Sequence, residues 1–566
     1  MASYPTNEPA PAYNSDNGVT SEKSHGNENG FDEKRGSVVA MRDEEDMAIG
    51  QQNPLSRKLK SRHMQMIAIG GAIGAGLFVG SGSALQSGGP ASVVICFIII
   101  GVMMYFTMQA LAELGVMYPV NGAFFTYAYR FISPAWGFAT GWDYAIQWLT
   151  VLPFEITAAG ITLDYWPAAE RIDNAVWVTV FLVALIIIQV FGIRGYGEVE
   201  FVLSIIKIIA CSGFIILGII INCGGVPTDD RGYIGGRYWQ NPGAFSGGFA
   251  GFCGVFVTAA FAFGGTELTG LAAAEATNPL KSIPMATKQV LWRIAFFYIV
   301  LLLLVGLIVP SDNPHLLNAS GANTKASPFV LAIKLANIPI LPSIFNAVIT
   351  ISVLSVANSC TFASTRTMQA LATRGMAPRF LAYVDKHGRP LWCVVIQMAF
   401  GLLAYVTDAP GDSSGTFFTW LLALSGIANF FIWGSICVSH IRFRAAWKYH
   451  GHTLDELPFR ASCGVWGSGI GVTLAVLCLI ASFYTAVRDK DVYTFFESWI
   501  AGPLILFLYV LWKVWTREWY LLTSLKDIDV MAGMRSNIEE LQASAERQRK
   551  ERAIKNLPMR VLRTLF

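Results

Sequence analysis

Apolar segments of about twenty residues alternate with short polar segments from Met64 to Trp515. A helix needs about 20 residues to cross the hydrocarbon of a bilayer, so this pattern predicts an all-α polytopic membrane protein. The predicted membrane domain covers residues 61–515 and contains twelve spans, at 64–86, 91–117, 135–160, 176–192, 199–221, 247–272, 290–309, 341–371, 392–407, 416–439, 466–487 and 497–515.

Polar segments flank this domain at both ends. Residues 1–60 are polar and nearly free of aliphatic clusters, which predicts a disordered tail. They lack the features of a secretory signal peptide, so the first span is expected to act as its own insertion signal. Residues 516–566 are charged, and 538–555 mix acidic, basic and alanine residues at helical spacing, which predicts a partly helical tail.

Basic residues set the predicted orientation. Arg57, Lys58, Lys60 and Arg62 lie directly before the first span. Segments rich in Lys and Arg stay in the cytoplasm, so the N-terminus is predicted to be cytoplasmic, and an even number of spans brings the C-terminus to the same side. A predicted outside loop then contains a glycosylation sequon at Asn318.

The amino-acid composition narrows the classes of protein to which this chain can belong. Of the 566 residues, 54% are hydrophobic and 14% are charged. Soluble domains carry about 25% charged residues, so one soluble core does not fit. The net charge of +3 gives no reason to expect nucleic acid as a partner. Nine cysteines without a CxxC pair predict no zinc site, and the Walker A, HExxH and GxSxG motifs are absent, so neither a cofactor nor enzymatic activity is expected.

Two spans are unusually rich in glycine. The first contains Gly70–Gly82 and the sixth contains Phe261–Gly270. Either alone is explained by close helix packing through small residues. Together they open two successive sets of five spans, which predicts a five-plus-five inverted repeat with broken helices one and six, a site at the membrane midplane and two additional helices.

The broken helices suggest the chemistry of the substrate. Half-helix N-termini expose free N–H groups that suit a carboxylate, and unwound carbonyls suit an ammonium group or a cation. A zwitterionic amino acid matches both. The sequence therefore predicts a transporter with an amino acid as substrate and the lipid bilayer as its surroundings.

Ionisable residues inside spans are costly, so each needs a partner or a function. Glu155 follows Pro153 and is predicted to contact the substrate amine or a gate, the alternative being an end-of-span residue near the outer interface. Lys207 has no acid within one helical turn and is predicted to take part in proton coupling. Glu267 follows the sixth-span break and is either an anchor or proton acceptor, or a structural hydrogen-bond hub. Of the nearby aromatic residues, Phe263 is preferred over Phe261 for closing over a substrate.

The sequence resembles the fungal amino acid permeases of the yeast amino acid transporter family, within the amino acid–polyamine–organocation superfamily, and most of all the general amino acid permeases. The resemblance covers residues 55 to 530. Its motifs are Met66–Gly74, Gln147–Glu155, Phe256–Glu267, Gly388–Leu391, Trp420–Gly426 and His440–Arg444.

The resemblance implies proton-driven amino acid uptake at the plasma membrane. It assigns substrate binding and proton coupling to Ile73, Gly74, Ala75, Gly76, Glu155, Lys207, Phe263, Gly264 and Glu267. The resemblance implies a broad substrate range; many members carry threonine where this chain has Ala75, and the loss of that hydroxyl can narrow or shift the range. The resemblance also implies ubiquitination of tail lysines, here Lys23 and Lys34, through ubiquitin-ligase adaptors.

Three alternatives stay open at this point. A narrow-range permease, for proline or basic amino acids, shares every feature above. An amino acid sensor would bind substrate but move it poorly; the N-tail of about 60 residues counts mildly against it. An ion channel would need a filter or a charged pore ring, which the sequence does not show.

Overall fold

The apolar segments fold into helices. The computed structural model describes residues 66, 72–272, 279–316, 327–408, 413–488 and 490–534, all within the unit Met47–Phe566. No β-strand occurs in these ranges. The α-helices are α1 (Ser81–Gly88), α2 (Pro90–Met117), α3 (Ala123–Phe131), α4 (Pro134–Leu163), α5 (Asn174–Val190), α6 (Gly192–Asn222), α7 (Gly248–Phe263), α8 (Leu268–Ala272), α9 (Pro279–Ile308), α10 (Pro328–Leu335), α11 (Leu341–Thr373), α12 (Leu391–Gly401), α13 (Ser413–Tyr449), α14 (Gly464–Arg488), α15 (Val492–Trp499) and α16 (Ala501–Thr516).

The lengths and apolarity of these helices fit a multi-pass membrane protein. Within the described ranges, seven helical segments are long and apolar enough to cross a bilayer, and α15 with α16, bent by 76°, makes an eighth. Shorter apolar helices lie at Asn174–Val190, Phe296–Ile308 and Leu391–Val406. Each of the twelve predicted spans overlaps a helix of the structure, which confirms the all-α polytopic prediction.

The packing of the helices reflects an internal repeat. The structure packs α2 against α9 and α4 against α11, and α1 and the π-helical turn before it pack against α7. In chain order these pairs are spans two and seven, three and eight, and one and six. A pseudo-two-fold axis brings equivalent helices of two repeats together, so this pairing is the one expected of two five-span repeats.

One helix end differs from the prediction because polar residues are buried there. Helix α13 continues to Tyr449, ten residues past the predicted end at 439. His440 and Arg444 lie in this extension, and both are buried beside Glu113 of α2. The ion pair lets the helix continue among polar residues that a hydropathy pattern places in a loop.

Residues 517–534 pack against the same end of the bundle. The Thr523 N–H donates to the Ile132 carbonyl at 2.8 Å, and the Tyr118 hydroxyl donates to the Val530 carbonyl at 2.6 Å. The first part of the predicted C-tail is therefore fixed to α2 and the α3–α4 connection. The predicted N-tail and the predicted helix at 538–555 lie outside the described residues.

Candidate substrate site

A small central cavity lies where the two broken spans meet α4, α11 and α13. Its volume is about 20 Å³, which is room for about one water molecule. An amino acid is larger, so the walls must separate before one can enter. The residues that line it are Ala72, Gly74, Gly76, Gln147, Trp148, Val151, Glu155, Phe261, Gly264, Val356 and Asn429.

The first-span break is held close to the sixth span by glycine. The chain is non-helical at residues 72–74 and becomes helical from Ala75, with a π-helical turn at Gly76–Gly80. A Cβ atom on Gly76 would lie 2.7 Å from the Cα of Ala262. Only a residue without a side chain allows this backbone contact, so Gly76 fixes the distance between the two breaks.

The sixth-span break follows Phe263. Helix α7 ends there, and Gly265 has a φ of +94°, a value that favours glycine. Glu267 accepts hydrogen bonds from the Gly265 N–H at 3.2 Å, from the Tyr144 hydroxyl at 3.3 Å and from the Trp433 indole at 3.3 Å. Both of its oxygens are occupied by these donors, which favours the structural-hub alternative for Glu267. It does not line the central cavity.

One tyrosine joins the two breaks. The hydroxyl of Tyr298 on α9 faces two backbone carbonyls, that of Ala72 in the first break and that of Ala262 in the sixth, the latter at 2.7 Å. A hydroxyl has a single hydrogen and serves one carbonyl at a time, which leaves the other available. Asn429 donates to the Ala260 carbonyl at 3.1 Å. Of the carbonyls predicted to face an ammonium group, those of Ala260 and Ala262 thus already accept hydrogen bonds from described residues.

The two candidate aromatic residues take different positions. Phe261 lines the central cavity and packs edge-on against Phe154, with ring centroids 4.7 Å apart. Phe263 points away and stacks on Tyr298 at 4.8 Å, next to Phe97. The structure therefore places Phe261, rather than Phe263, where it could cover a substrate.

Glu155 lies at the first-span break. Its side chain is buried, and its carboxylate accepts a hydrogen bond from the backbone N–H of Ala75. Its Oε2 atom has no hydrogen-bond partner among the described residues. The Glu155 carboxylate therefore accepts a hydrogen bond from an N–H group at the helix start, where the substrate carboxylate was predicted to bind.

Lys207 links this carboxylate to a second one. Its side chain is fully buried and interacts electrostatically with Glu155 and with Glu200 on its own helix α6. Glu200 accepts a hydrogen bond from the Ser355 hydroxyl at 2.6 Å. Glu200 lies two turns before Lys207, beyond the single helical turn on which the prediction for Lys207 rested, and was therefore missed. A spacing of seven residues returns to the same helix face and could have revealed it.

Two amides of the site were also missed. Gln147 and Asn429 both line the cavity, and Gln147 Nε2 donates to Asn429 Oδ1 at 2.8 Å. The Oε1 atom of Gln147 has no hydrogen-bond partner among the described residues. Residues 147, 151 and 155 follow one face of a helix at a spacing of four, a signal present in the sequence.

The remaining predicted site residues are not among the described residues that line the central cavity. Ile73 is buried beside the cavity lining without being part of it. Asn318, Lys23 and Lys34 lie outside the described residues. No group of His, Cys, Asp and Glu residues suited to a metal ion occurs in the described part of the chain.

Comparison with known proteins agrees with this architecture. A family model described as amino acid permease matches residues 63–524. The chain is 52% identical over 495 residues to cationic amino acid transporter 1 of Schizosaccharomyces pombe (86% of this chain, 83% of the relative). It is 50% identical over 493 residues to the general amino-acid permease GAP1 of Saccharomyces cerevisiae (86% and 81%), and 51% identical over 506 residues to the amino-acid permease inda1 of Hypocrea atroviridis (88% and 87%).

A solved structure shows the same fold. The manganese transporter of Eremococcus coleocola superposes with a TM-score of 0.50 at 14% sequence identity, covering 80% of this chain and 93% of that chain. This match and the pairing of equivalent helices confirm the predicted inverted-repeat fold. The sequence relationship confirms the predicted resemblance, and the chain belongs to the amino acid permease family.

Proposed function

We propose that this chain imports amino acids across the plasma membrane together with protons, by alternating access, over a broad range of side chains and with both termini in the cytoplasm. One observation carries the proposal. The central cavity brings together Gly74 and Gly76 of the first-span break, Phe261 and Gly264 beside the sixth-span break, and Glu155, which interacts electrostatically with the buried Lys207. These are the groups that a zwitterion and a coupled proton require.

The two ends of an amino acid backbone have separate places in this cavity. The carboxylate binds the N–H groups at the start of the helix at Ala75 and Gly76, where the helix dipole is positive. The ammonium group binds carbonyls of the sixth-span break near Phe261 and Gly264. The side chain then points toward the surface formed by Trp148 and Val356.

The position of Glu155 explains how binding and protonation are coupled. Its carboxylate accepts a hydrogen bond from the Ala75 N–H. A substrate carboxylate that needs the same donor brings a second negative charge into a buried space, where repulsion is strong. A proton on Glu155 removes this repulsion. Each amino acid therefore enters with a proton.

Proton coupling gives this uptake a driving force. One positive charge moving across a membrane potential of 100 mV supplies about 2.3 kcal/mol, apart from any pH gradient. The small central cavity fits the alternating-access part of the proposal, because it is too small for an amino acid until one side opens.

The cavity walls favour a broad range. Trp148, Val151 and Phe261 offer apolar surface, and Gln147 and Asn429 offer neutral amides. Glu155 is the one charged residue among the lining residues, and it faces the backbone end of the substrate. A narrow range for basic amino acids is the second candidate, favoured by the Gln147 oxygen, which accepts no hydrogen bond from a described residue and could receive a side-chain donor.

Uptake of a labelled amino acid panel tests the proposal. Yeast cells that lack their own permeases would express the wild-type chain, Lys207→Met, or the control Lys526→Met, which makes the same change at an exposed position. We expect uptake of many amino acids, faster at acidic than at neutral external pH, with the pH dependence lost only in Lys207→Met. Uptake of basic amino acids alone supports the narrow range. Binding without uptake, despite surface expression, supports a sensor.

A further inference from the structure

A row of buried polar residues, called the seam below, continues beyond Lys207, away from the central cavity. It consists of Glu200, Ser355, Asn358, Ser359 and Tyr196. Glu200 lies two turns closer to the start of α6, is fully buried and interacts electrostatically with Lys207. The facing helix α11 contributes the Ser355 hydroxyl, which donates to Glu200 at 2.6 Å, and the side chains of Asn358 and Ser359 beside the same carboxylate. Three polar residues within five positions of a membrane helix form a specific surface for Glu200.

The seam reaches a second cavity at the start of α6. Tyr196 lies one turn before Glu200, and its hydroxyl donates to the Ser359 hydroxyl at 3.3 Å. Its ring stacks on Phe362 with centroids 5.0 Å apart, which fixes the hydroxyl in place. Gln189 of α5 donates to Asn358 Oδ1 at 3.2 Å. Tyr196 and Gln189 both line this second cavity.

The second cavity, called the inner cavity below, can hold water. Its volume is about 300 Å³, against the 10–15 Å³ that one water needs at minimum. Arg366 and Arg389 also line it. Under the proposed topology the start of α6 faces the cytoplasm. The polar seam therefore connects the buried Lys207 to water on the cytoplasmic side.

Glu200 is less completely hydrogen-bonded than Glu267. A buried carboxylate that only braces a fold has its oxygens occupied, as Glu267 has. The Oε2 atom of Glu200 has no hydrogen-bond partner among the described residues, so it is placed to accept a proton.

The charged and titratable surroundings of Glu200 are few. Lys207 and Tyr196 share its helix, and Arg366 of α11 interacts with Tyr196. Tyr298 of α9 lies near Glu155 and Cys211, beyond Lys207. Within the described helices packed on α6, the base nearest to the Glu200 carboxylate is thus Lys207.

We propose that Glu200 is the inner proton acceptor of this permease and that Ser359 and Tyr196 carry its proton to the inner cavity. This rests on the proton coupling proposed above. In the step from Lys207, an Nζ–H bond breaks, an Oε–H bond forms on Glu200, and a neutral amine and a neutral carboxyl remain. The carboxyl then gives the proton through the two hydroxyls to water, which leaves as hydronium. The Lys207 amine receives its next proton from the outside.

Proteoliposomes separate this step from binding and movement of the substrate. Net uptake driven by a pH gradient requires proton release in every cycle, whereas exchange of labelled for unlabelled substrate does not. We expect Glu200→Gln to lose net uptake by about tenfold or more while exchange stays within about twofold of wild type. Glu200→Asp, which restores a carboxylate, should recover part of the net uptake. Tyr196→Phe should slow net uptake less than Glu200→Gln does.

The control is Glu198→Gln, the same change on an exposed residue of the same helix. Wild-type net uptake that does not respond to the pH gradient would remove the proposed coupling itself. With wild-type coupling intact, normal net uptake by Glu200→Gln would overturn the relay. An equal loss of net uptake and exchange in Glu200→Gln would overturn it too, because that result marks a structural residue.

Discussion

Two groups of buried charges lie in this helix bundle and differ in how completely they are hydrogen-bonded. The first, called the anchor cluster, consists of Glu113, His440 and Arg444. The second, called the coupling cluster, consists of Glu155, Lys207 and Glu200. All six side chains are buried. In the anchor cluster each carboxylate oxygen has a donor, whereas in the coupling cluster each carboxylate has an oxygen that accepts none from a described residue.

The anchor cluster ties three parts of the chain together. Arg444 holds Glu113 with two hydrogen bonds, Nε to Oε1 at 2.5 Å and Nη2 to Oε2 at 2.7 Å. The Ala461 N–H adds a third at 2.6 Å. His440 Nε2 lies 3.1 Å from Oε1, and its Nδ1 lies 2.8 Å from the Ser468 hydroxyl. This geometry leaves the carboxylate little capacity for another ligand.

This difference in hydrogen bonding indicates that the anchor cluster has a structural role and the coupling cluster a functional one. A saturated buried ion pair fixes the positions of helices, and losing one partner leaves a charge without compensation. An unsaturated carboxylate has capacity for a proton or a substrate. Changes in the anchor cluster should therefore lower stability, and changes in the coupling cluster should alter transport in a protein that still folds.

The largest effect is expected for Arg444→Met. It leaves the Glu113 carboxylate buried without its guanidinium, which should lower stability by about 3–5 kcal/mol. Thermal unfolding of the detergent-solubilised protein and the amount of chain at the cell surface measure this.

The double variant Glu113→Gln with Arg444→Met is the matched control, since it removes both charges and should recover part of the lost stability. A double variant as unstable as the sum of the two singles would mean that the cluster is not a coupled pair. Normal stability of Arg444→Met alone would remove the distinction between the two clusters.

Glu155→Gln should act on transport instead. A neutral amide resembles the protonated carboxyl and no longer brings a negative charge against the substrate carboxylate. Substrate affinity should then cease to rise on acidification and should differ by about tenfold from wild type at neutral pH. Substrate competition at several pH values measures the affinity, and thermal unfolding checks that stability changes little. A variant that keeps the pH dependence of binding would contradict the role given to Glu155.

Most of the fold could be predicted because membrane spans are set by local hydropathy. The interruptions in spans one and six were predictable because glycine marks them in sequence. The end of α13 was not, because its continuation past 439 depends on Glu113, more than three hundred residues away. A local pattern gives no sign that a distant carboxylate will bury His440 and Arg444.

The site could be predicted only in part for a similar reason. Glycine positions and Glu155 stand out because they violate the composition of a membrane helix. The choice between Phe261 and Phe263 depends on how the chain rotates at the break, which is set by tertiary contacts with Phe154 and Tyr298. Glu200 lies in a segment that hydropathy placed at the edge of a span, so its burial was not evident.

An effect of intermediate size, on the choice among substrates, is expected for Gln147→Met. Gln147 Oε1 is another buried atom of the cavity without a partner among the described residues, so it should affect substrate choice more than folding. Methionine keeps the volume and removes the acceptor. Uptake of amino acids with side-chain donors should fall relative to uptake of leucine by about 0.5–1.5 kcal/mol, which is about two- to thirteenfold. Competition by unlabelled amino acids measures the ratio, and an unchanged ratio would exclude Gln147 from side-chain selection.

The smallest effect is expected for Asp385→Asn, in the connection between α11 and α12. Asp385 pairs with Arg389, which lines the inner cavity, at 2.6 Å. Burial raises the pKa of Asp385, but the Arg389 guanidinium and nearby backbone N–H groups more than offset this and hold the pKa below its usual value. The stabilisation is thus complete above the unfolded pKa of about 3.9 and is lost as pH falls through the lower folded value. Between mildly acidic and neutral pH the Asp385 carboxyl therefore stays ionised. Asp385→Asn should cost less than about 1 kcal/mol of stability and leave the pH profile of uptake unchanged. A shifted profile would place this ion pair on the proton route beside Glu200, and the route would then extend past Tyr196 to the cavity rim.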